Sequence, residues 1–334
     1  MPKPKTSESD ILVDEISELC ARTRVPGVSI AVVRDGRLAC TTAVGVLHRD
    51  SAEPVRAETV FQAASLTKPV FAAAVIRLVE LDVLGLDTPL SDCLPYEYVA
   101  DDALLHLVTA RHVLSHTTGW PNWRPTGQLL RRESPPGASF RYSGEGYVYL
   151  QHVVEHLTGE PLDALVRAHV LMPLGMTDSS FEWRPPEDRS TAAGHGRDGD
   201  PISRYIGEWP NAASSLHTTP SDYARFMAAV MNPDRAPWSI GPASLTEMLH
   251  PQVTVGERVS WGLGWGLEIG SRGHAFWHWG DNPGYKSFAI ALREAGKAVV
   301  VMTNGDAGQA VCEHVIDRLL GGDHPALAWL ARSR

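Results

Sequence analysis

Ser65 and Lys68 stand three residues apart at the start of an apolar stretch of the chain. If that stretch is a helix, this S-x-x-K spacing places both side chains on one face, within reach of each other. A serine hydroxyl is a poor nucleophile at neutral pH, and a lysine that loses its charge in apolar surroundings would help to remove the hydroxyl proton. The start of a helix also stabilises negative charge that develops near Ser65. The pair therefore predicts nucleophilic catalysis, although a capping serine and a solvated lysine explain the same four residues taken alone.

The residues around Ser65 resemble the nucleophile region of class C β-lactamases and of their relatives, the family VIII carboxylesterases. The likeness extends from about residue 25 to about residue 305, and its motifs occur in the same order as in that family. The resemblance implies that Ser65 is the nucleophile and Lys68 its partner. The stretches that carry it are Phe61-Gln62-Ala63-Ala64-Ser65-Leu66-Thr67-Lys68, Gly85-Leu86-Asp87-Thr88-Pro89-Leu90, Thr109-Ala110-Arg111-His112-Val113-Leu114-Ser115-His116-Thr117-Thr118-Gly119, Pro136-Gly137-Ala138-Ser139-Phe140-Arg141-Tyr142-Ser143-Gly144, Pro173-Leu174-Gly175-Met176-Thr177-Asp178 and Trp261-Gly262-Leu263-Gly264-Trp265-Gly266.

Tyr142 falls at the tyrosine of the Tyr-x-Asn motif of the resembled family. The resemblance implies that this tyrosine acts with Lys68 as general base and later donates a proton to the leaving group. A half-buried ring with a hydrogen-bonded hydroxyl is the ordinary structural explanation. The third position of the motif is Gly144, so the asparagine amide that would hold a substrate carbonyl at this substrate-binding position is missing. This departure weakens a β-lactamase assignment more than an esterase assignment.

The third motif of the family, Lys/His-Thr-Gly on a strand beside the site, matches His278-Trp279-Gly280. The resemblance implies that Gly280 lets the backbone approach the substrate, and that the N–H groups of Ser65 and Asp281 form an oxyanion hole. The family uses the threonine and the preceding cation to hold a substrate carboxylate. Here Trp279 replaces the threonine, and His278 would hold a carboxylate only when protonated. Penicillins and D-Ala-D-Ala peptides carry such a carboxylate, so neither is the expected substrate.

These features favour a carboxylesterase that forms an acyl-enzyme on Ser65 with a small-molecule ester. An amidase, a D-aminopeptidase or a weak β-lactamase of the same superfamily stays open, and Glu145 or Asp281 would then meet a substrate amine. An acyltransferase differs only in the acceptor that replaces water. A non-catalytic scaffold or binding protein with this fold is the alternative from another class, and the intact Ser65, Lys68 and Tyr142 argue against it.

Tryptophan is frequent in this chain, with ten residues in 334. Several tryptophans lie near the motif segments, where they would either line an apolar acyl or aromatic pocket or pack in the core. Trp279 and Trp209 are the two that we expect at the pocket, as substrate-binding residues. The group consists of Trp120, Trp123, Trp209, Trp277 and Trp279.

Other site motifs receive less support. The segment His152-Val153-Val154-Glu155-His156 spells H-x-x-E-H, an inverted zinc motif, on a predicted helix where both histidines share a face. Zinc would need a further ligand that the sequence does not single out. No G-x-S-x-G elbow is present, and the glycines between Gly262 and Gly266 neither fit G-x-G-x-x-G nor precede a helix. The sequence therefore predicts no metal and no other cofactor.

Hydrophobic periodicity predicts secondary structure at both ends of the chain. The N-terminal part predicts a helix over 10–24 and a hairpin with strands near 28–33 and 38–46. The C-terminal part predicts strands near 274–280, 285–293 and 297–303 and a helix over 307–320. In between, the strongest pattern is an apolar helix over 66–83.

Antiparallel strands flanked by terminal helices predict an α+β fold, in the form of an α/β sandwich with an antiparallel sheet. Residues 10–65 and 256–334 would form this domain, residues 66–255 an inserted, mainly helical subdomain, and residues 1–9 a flexible N-terminus. The family resemblance implies the β-lactamase/transpeptidase-like fold, which has this arrangement.

The composition of the chain limits the kinds of partner that we expect it to bind. The net charge of −9 arises from interspersed acids, and no basic block is present, so nucleic acid is an improbable partner. No apolar run of about 18 residues predicts a membrane span, and the N-terminus lacks the apolar region of a secretory signal. Four scattered cysteines indicate free, mostly buried thiols. We therefore expect a cytoplasmic protein that acts on a small molecule.

Overall fold

A computed structural model describes residues 8–96, 98–99, 102–183, 190–203, 209–232, 238 and 240–332. Strands from both ends of the chain meet in one sheet, and most of the helices lie between them in sequence. The helices are α1 (Glu8–Thr23), α2 (Thr67–Glu80), α3 (Leu90–Cys93), α4 (Ala110–Leu114), α5 (Gly144–Thr158), α6 (Leu162–Val166), α7 (Pro220–Met231), α8 (Pro242–Met248), α9 (Gly308–Leu320) and α10 (Pro325–Arg332). The strands are β1 (Gly27–Arg34), β2 (Arg37–Gly45), β3 (Phe61–Gln62), β4 (His217–Thr218), β5 (Val253–Gly256), β6 (Val259–Trp261), β7 (Gly266–Gly270), β8 (Gly273–Asn282), β9 (Tyr285–Leu292) and β10 (Lys297–Thr303).

The main sheet has the strand order β2-β1-β10-β9-β8-β7-β6-β5, and every neighbouring pair is antiparallel. Its central strands β1, β9 and β10 are mostly apolar because both faces of the sheet are covered. In β10, for example, Val299 and Val301 pack in one hydrophobic core, while Ala298, Val300 and Met302 pack in the other. Alternation of side chains along a strand explains this division.

Helices cover the two faces of the sheet. Helices α1 and α9 pack on one face, and α9 lies against β9 and β10. Helix α7 packs on the other face against β1, β2 and β10, where the larger core also takes in the apolar helix α2. This is the layered α+β arrangement that the sequence predicts, in the form of the β-lactamase/transpeptidase fold.

The predicted elements are present with shifts of a few residues. The predicted hairpin is β1–β2, the three C-terminal strands are β8, β9 and β10, and the predicted helices at 66–83 and 307–320 are α2 and α9. The predicted boundary between residues 255 and 256 falls within β5. Helix α1 already includes Glu8 and Ser9, and the rest of the predicted flexible terminus lies outside the described residues.

Strand β8 has a neighbour on only one side along its second half. Strand β7 pairs with β8 from Gly273 to Trp277, whereas β9 pairs with β8 as far as Asn282. Residues 278–282 therefore present a free backbone edge among the described strands. The short 3-10 turn Ala64–Leu66 packs against this segment, so the fold brings the nucleophile candidate to the sheet edge.

The cysteines and the helices bear on the expected free thiols and on the expected lack of a membrane span. All four cysteines are free, with Cys20 and Cys312 buried, Cys93 partly buried and Cys40 exposed. Among the helices that the structure describes, none combines the length and apolar character that a membrane span requires.

Candidate active site

Ser65 lies in the 3-10 turn that leads directly into α2. The preceding Ala64 has a φ of 51°, a left-handed conformation that is strained for a residue with a Cβ. Thr67 holds the turn in place, because its hydroxyl donates to the carbonyl of Ala64 and accepts from the N–H of Leu216 at 2.9 Å. The strained turn leaves Ser65 partly exposed at the end of a buried helix.

Lys68 lies beneath Ser65 and is almost completely buried, with 1% of its surface exposed. Its Nζ is 3.1 Å from the Oγ of Ser65 and 2.9 Å from the carbonyl oxygen of Ala213. Among the residues that the structure describes, no carboxylate forms an ion pair with this ammonium group. Burial therefore lowers the pKa of Lys68 from 10.5 to about 7. A base with this pKa removes a proton efficiently at neutral pH.

Tyr142 completes the group of candidate catalytic side chains. Its ring centre is 4.7 Å from the Nζ of Lys68, and its hydroxyl oxygen is buried without a hydrogen-bond partner of normal geometry. Burial raises the pKa of Tyr142, and interaction with the Ser65 hydroxyl acts in the opposite direction. The ring is held between His116 and Trp279, at centre-to-centre distances of 4.3 and 4.8 Å.

The start of α5 positions Tyr142. The next residue, Ser143, is the N-cap of α5, and its hydroxyl accepts from the N–H of Gly146 at 3.1 Å. The N–H of Ser143 donates to the Nδ1 of buried His116 at 3.0 Å. Because both groups of Ser143 are engaged, the backbone that carries Tyr142 has little freedom.

Gly280 is where β8 meets the turn Ala64–Leu66, which is called the nucleophile turn below because it carries the candidate nucleophile Ser65. A Cβ at this position would lie 2.3 Å from the carbonyl oxygen of Ala63 and 2.1 Å from the Oγ of Ser287. Ser287 in turn donates to the same carbonyl at 3.1 Å. The sequence predicts that this glycine lets the backbone approach the substrate, and the structure shows that it lets β8 approach the turn that carries Ser65.

His278 lies behind the site and not at its surface. It is fully buried, and its Nδ1 donates to the carbonyl oxygen of Trp279 at 2.8 Å. Burial, with a smaller contribution from the charge of Lys68, lowers the pKa of His278 to about 3. The imidazole is therefore neutral at physiological pH, and a carboxylate-binding cation is not available at this position.

A cavity of about 790 Å³ opens in front of Ser65. Its wall combines catalytic candidates with aromatic, aliphatic and polar side chains from six parts of the chain. These are Ser65, Asn122, Ser139, Phe140, Arg141, Tyr142, Thr254, Val255, Trp279, Asp281, Trp329 and Leu330.

The charged groups at the cavity are paired. Arg141 forms an ion pair of 2.5 Å with Glu133. Asp281 lies 2.9 Å from Lys286, which also contacts Asp306 at 2.7 Å. Each of the two charged lining residues therefore has a partner of opposite charge, although Asp281 shares Lys286 with Asp306.

The structure brings together some of the predicted site residues and separates others. Ser65, Tyr142, Trp279 and Asp281 line the cavity, and Lys68 supports Ser65 from below. The remaining predicted substrate-binding residues are not among the lining residues. These are His278 and Gly280, which face the interior, Gly144, which is covered by Trp123, and Trp209, which is 78% exposed.

Gly144 has a packing reason of its own. A Cβ here would lie 2.6 Å from the ring of Trp123, so only glycine allows that ring to pack over the start of α5. The N–H of Gly144 donates to the side-chain oxygen of Asn122 at 2.9 Å. An amide is thus present at the cavity, from a different loop than the Tyr-x-Asn motif predicts. The other tryptophans of the predicted group, Trp120 and Trp277, are buried in the cores.

Sequence reasoning missed about two thirds of the lining. Phe140 and Arg141 stand next to Tyr142 in the motif stretch, so their proximity was a usable signal. Asn122, Thr254 and Val255 lie on a loop and on strand β5, where no motif marks them. Trp329 and Leu330 belong to α10, beyond the stretch of the chain that the motifs cover.

The H-x-x-E-H segment lies on α5. The carboxylate of Glu155 accepts from the N–H of Leu162 at 2.8 Å and from Gln151 at 3.3 Å, and lies 3.7 Å from His152. It therefore joins α5 to the following helix. Within the described part of the chain no group of three or more histidine, cysteine or acidic side chains is arranged to hold a metal ion.

Comparison with known proteins is consistent with this geometry. A β-lactamase family model matches residues 12–321. Esterase EstB of Burkholderia gladioli is 30% identical in an alignment that covers 84% of this chain and 86% of that protein. Penicillin-binding protein 4 of Amycolatopsis lactamdurans is 27% identical, with 89% and 85% covered. The structure of the octameric penicillin-binding protein homologue from Pyrococcus abyssi has a similar fold, with a TM-score of 0.83, 22% identity and coverage of 94% and 78%.

We predict that Gly280→Ala slows modification of Ser65. The added methyl group must displace the Ala63 carbonyl or Ser287, which shifts the nucleophile turn. We expect a loss of about 1–3 kcal/mol in the free energy of unfolding and a labelling rate by a fluorophosphonate that falls at least roughly tenfold. Gly196→Ala is the matched control, since its new Cβ has its nearest neighbour at 3.6 Å. Equal labelling rates of the two variants would contradict the role of Gly280.

We predict that Lys68→Met stabilises the fold at neutral pH. The pKa of Lys68 is about 7 in the folded protein and 10.5 in the unfolded chain. The charged lysine therefore lowers the free energy of unfolding at pH values below 10.5, and it does so by the full amount below pH 7. At about 1.4 kcal/mol per pKa unit, less the lost hydrogen bond to Ala213, the gain is about 2–4 kcal/mol.

Urea denaturation of both proteins from pH 6 to pH 10 measures this gain. The difference in the free energy of unfolding between the methionine variant and the wild type should become steadily smaller as the pH rises above about 7. The reason is that Lys68 of the wild type loses its proton at a lower pH in the folded protein than in the unfolded chain. A pH-independent difference would show that Lys68 is not desolvated as its burial indicates.

Proposed function

This chain belongs to the β-lactamase family and is a serine hydrolase, as its motifs predicted, and we propose that it is a carboxylesterase that forms an acyl-enzyme on Ser65. The contact between Lys68 and Ser65 carries the proposal. A serine oxygen 3.1 Å from an amine with a pKa of about 7 is an activated nucleophile at neutral pH.

In the acylation step, the neutral amine of Lys68 accepts the hydroxyl proton while the Oγ of Ser65 bonds to the ester carbonyl carbon. The tetrahedral intermediate then breaks its bond to the alcohol oxygen. The departing alkoxide takes a proton from Tyr142. Because burial raises the pKa of Tyr142 above its ordinary value, that phenol is protonated at neutral pH and is suited to donate.

The backbone N–H groups of Ser65 and Asp281 would hold the oxyanion. Both residues line the cavity, one on the nucleophile turn and one on the free half of β8. Rigid backbone donors are effective here because they do not have to reorganise when charge develops. In the deacylation step, water attacks the acyl carbon and passes a proton to the pair formed by Tyr142 and Lys68. The bond between the acyl carbon and the Oγ of Ser65 then breaks, the pair returns a proton to the Oγ, and the free acid leaves.

An ester fits the cavity better than a substrate with a free carboxylate. His278 is neutral and buried, Trp279 stands where the family has threonine, and Arg141 is already paired with Glu133. The similarity to an enzyme named esterase EstB supports the same choice. Asp281 at the cavity keeps amidase and D-aminopeptidase activity as the second candidate, but its pairing with Lys286 reduces its ability to hold an amine.

We predict that intact-mass analysis after brief incubation with a p-nitrophenyl ester or a fluorophosphonate shows one added acyl or phosphonyl group. Ser65→Ala should gain no mass and should hydrolyse no ester above background. Ser139→Ala is the matched control, because Ser139 also lines the cavity and its Oγ lies 3.4 Å from the Oγ of Ser134. Labelling that survives Ser65→Ala would overturn the assignment of the nucleophile.

The same assay separates the substrate classes. We expect turnover of p-nitrophenyl esters and of alkyl esters to exceed that of a chromogenic cephalosporin or a D-alanine anilide. Faster turnover of the cephalosporin or of the anilide would replace the esterase proposal by the corresponding alternative, while a longer-lived acyl-enzyme with an alcohol acceptor would indicate acyl transfer.

We predict that kcat/KM rises with pH through a single group with a pKa near 7. Lys68 must be neutral to accept a proton, so activity is lost as the pH falls through its pKa of about 7. Lys68→Arg cannot deprotonate in this range and should lose roughly 10²–10⁴-fold in kcat. A profile that is flat between pH 6 and pH 8.5 would argue that another group activates Ser65.

A further inference from the structure

Helix α10 contributes to the cavity although it lies beyond the family match. The β-lactamase family model ends at residue 321, whereas α10 spans Pro325–Arg332. Its Trp329 and Leu330 nevertheless line the same cavity as Ser65. The substrate side of the site is therefore built in part from an element that the family match does not include.

A buried carboxylate holds the N-terminus of α10. Glu268 on β7 is 2% exposed, and its side chain accepts from the N–H of Ala326 at 2.7 Å. Its other oxygen lies 3.0 Å from the Nδ1 of His324, whose side chain is only 4% exposed. A carboxylate at a helix N-terminus satisfies free N–H groups and interacts favourably with the helix dipole.

A second set of contacts fixes the segment just before the helix. Asp323 forms an ion pair of 2.6 Å with Arg258, and it accepts from the N–H of Ser271 at 2.5 Å. The backbone here approaches Gly270 so closely that a Cβ on that glycine would lie 2.6 Å from the carbonyl oxygen of Asp323. Helix α10 is thus docked on the β6–β7 end of the sheet by specific polar contacts as well as by apolar packing.

The docked helix packs Trp329 among aromatic rings of the cavity wall and of the core. The centre of its ring lies 6.0 Å from that of Phe140 and 5.8 Å from that of Trp279, which line the cavity, and 5.7 Å from that of the buried Trp277. We use the name aromatic wall for the four cavity-lining rings Phe140, Tyr142, Trp279 and Trp329. Trp279 connects this wall to the catalytic group, because it also contacts Tyr142.

We propose that α10 is a substrate-selecting element, and that the aromatic wall binds a neutral aryl or bulky apolar group of the ester. The proposal rests on the esterase function proposed above. Aromatic rings favour such groups through area burial and edge-to-face contact. The charged residues of the cavity favour a neutral group as well, since Arg141 and Asp281 are each paired with a residue of opposite charge. The group belongs either to the acyl part or to the alcohol part of the ester.

Three esters followed by pH-stat titration test the proposal on the whole protein. Ethyl acetate is small on both sides, ethyl 3-phenylpropanoate carries the aryl group on the acyl side, and benzyl acetate carries it on the alcohol side. Wild type should have a higher kcat/KM for one of the two aryl esters than for ethyl acetate. Trp329→Ala should lower that ratio roughly 10- to 100-fold, mainly through KM, because a lost apolar contact weakens binding by such factors.

Two further variants separate a substrate contact from loss of the helix. Leu327→Ala lies on the same helix outside the cavity lining and should keep the wild-type ratio. Glu268→Gln removes an acceptor at the α10 N-terminus without touching the cavity around Ser65, and should lower the ratio as Trp329→Ala does. Fluorophosphonate labelling of Ser65 reports whether each variant keeps its catalytic group.

The outcomes distinguish the two proposals. If wild type hydrolyses none of the esters, the esterase function fails. If wild type hydrolyses all three and Trp329→Ala changes their kcat/KM values equally or not at all, the esterase function stands and the role of α10 is overturned. A change in the ratio that Leu327→Ala reproduces would overturn the direct contact between Trp329 and the substrate, because weakened docking of the helix would then explain the effect.

Discussion

The burial of Lys68 beside Ser65 is the constraint on which the rest of the site depends. An ammonium group with no nearby carboxylate is costly to remove from water, and the protein reduces this cost by lowering the pKa of Lys68 to about 7. The same desolvation that destabilises the fold produces a base suited to neutral pH. The apolar residues of α2 and of the surrounding core are therefore as important to the chemistry as the two polar side chains, because they exclude the water that would restore the charge.

Three sets of rigid contacts hold Ser65, Lys68 and Tyr142 in position relative to one another. Hydrogen bonds of Thr67 hold the strained turn at Ala64. The capped start of α5 positions Tyr142, and Gly280 allows β8 to pack closely against the nucleophile turn. Each support uses backbone groups of a different element, so no single helix or strand carries the site. Rigidity of this kind matters because the contact between Ser65 and Lys68 is useful only at hydrogen-bond distance.

The substrate side of the site differs from the catalytic side in charge and in origin. The proposed catalytic side is polar, mostly buried and formed by motif residues. The cavity in front of it is lined by paired charges and by aromatic rings, one of which comes from α10. Such a division explains why the nucleophile identifies the reaction class more directly than the substrate: acyl transfer needs only the catalytic side, whereas selectivity arises from side chains that the reaction itself does not require.

The sequence by itself determined the family, the sheet built from both chain ends, the helix that follows Ser65 and the candidate catalytic residues. These features depend on local periodicity and on short motifs, which are visible in one dimension. Only the tertiary structure decided that His278 and Gly280 face the interior, that Trp209 lies in solvent and that Trp329 reaches the cavity. Along β8, alternation assigns neighbouring residues to opposite faces, but the packed partners decide which face meets the substrate. Trp329 is brought to Ser65 by the docking of α10 on β7, a contact between distant parts of the chain that no local pattern specifies.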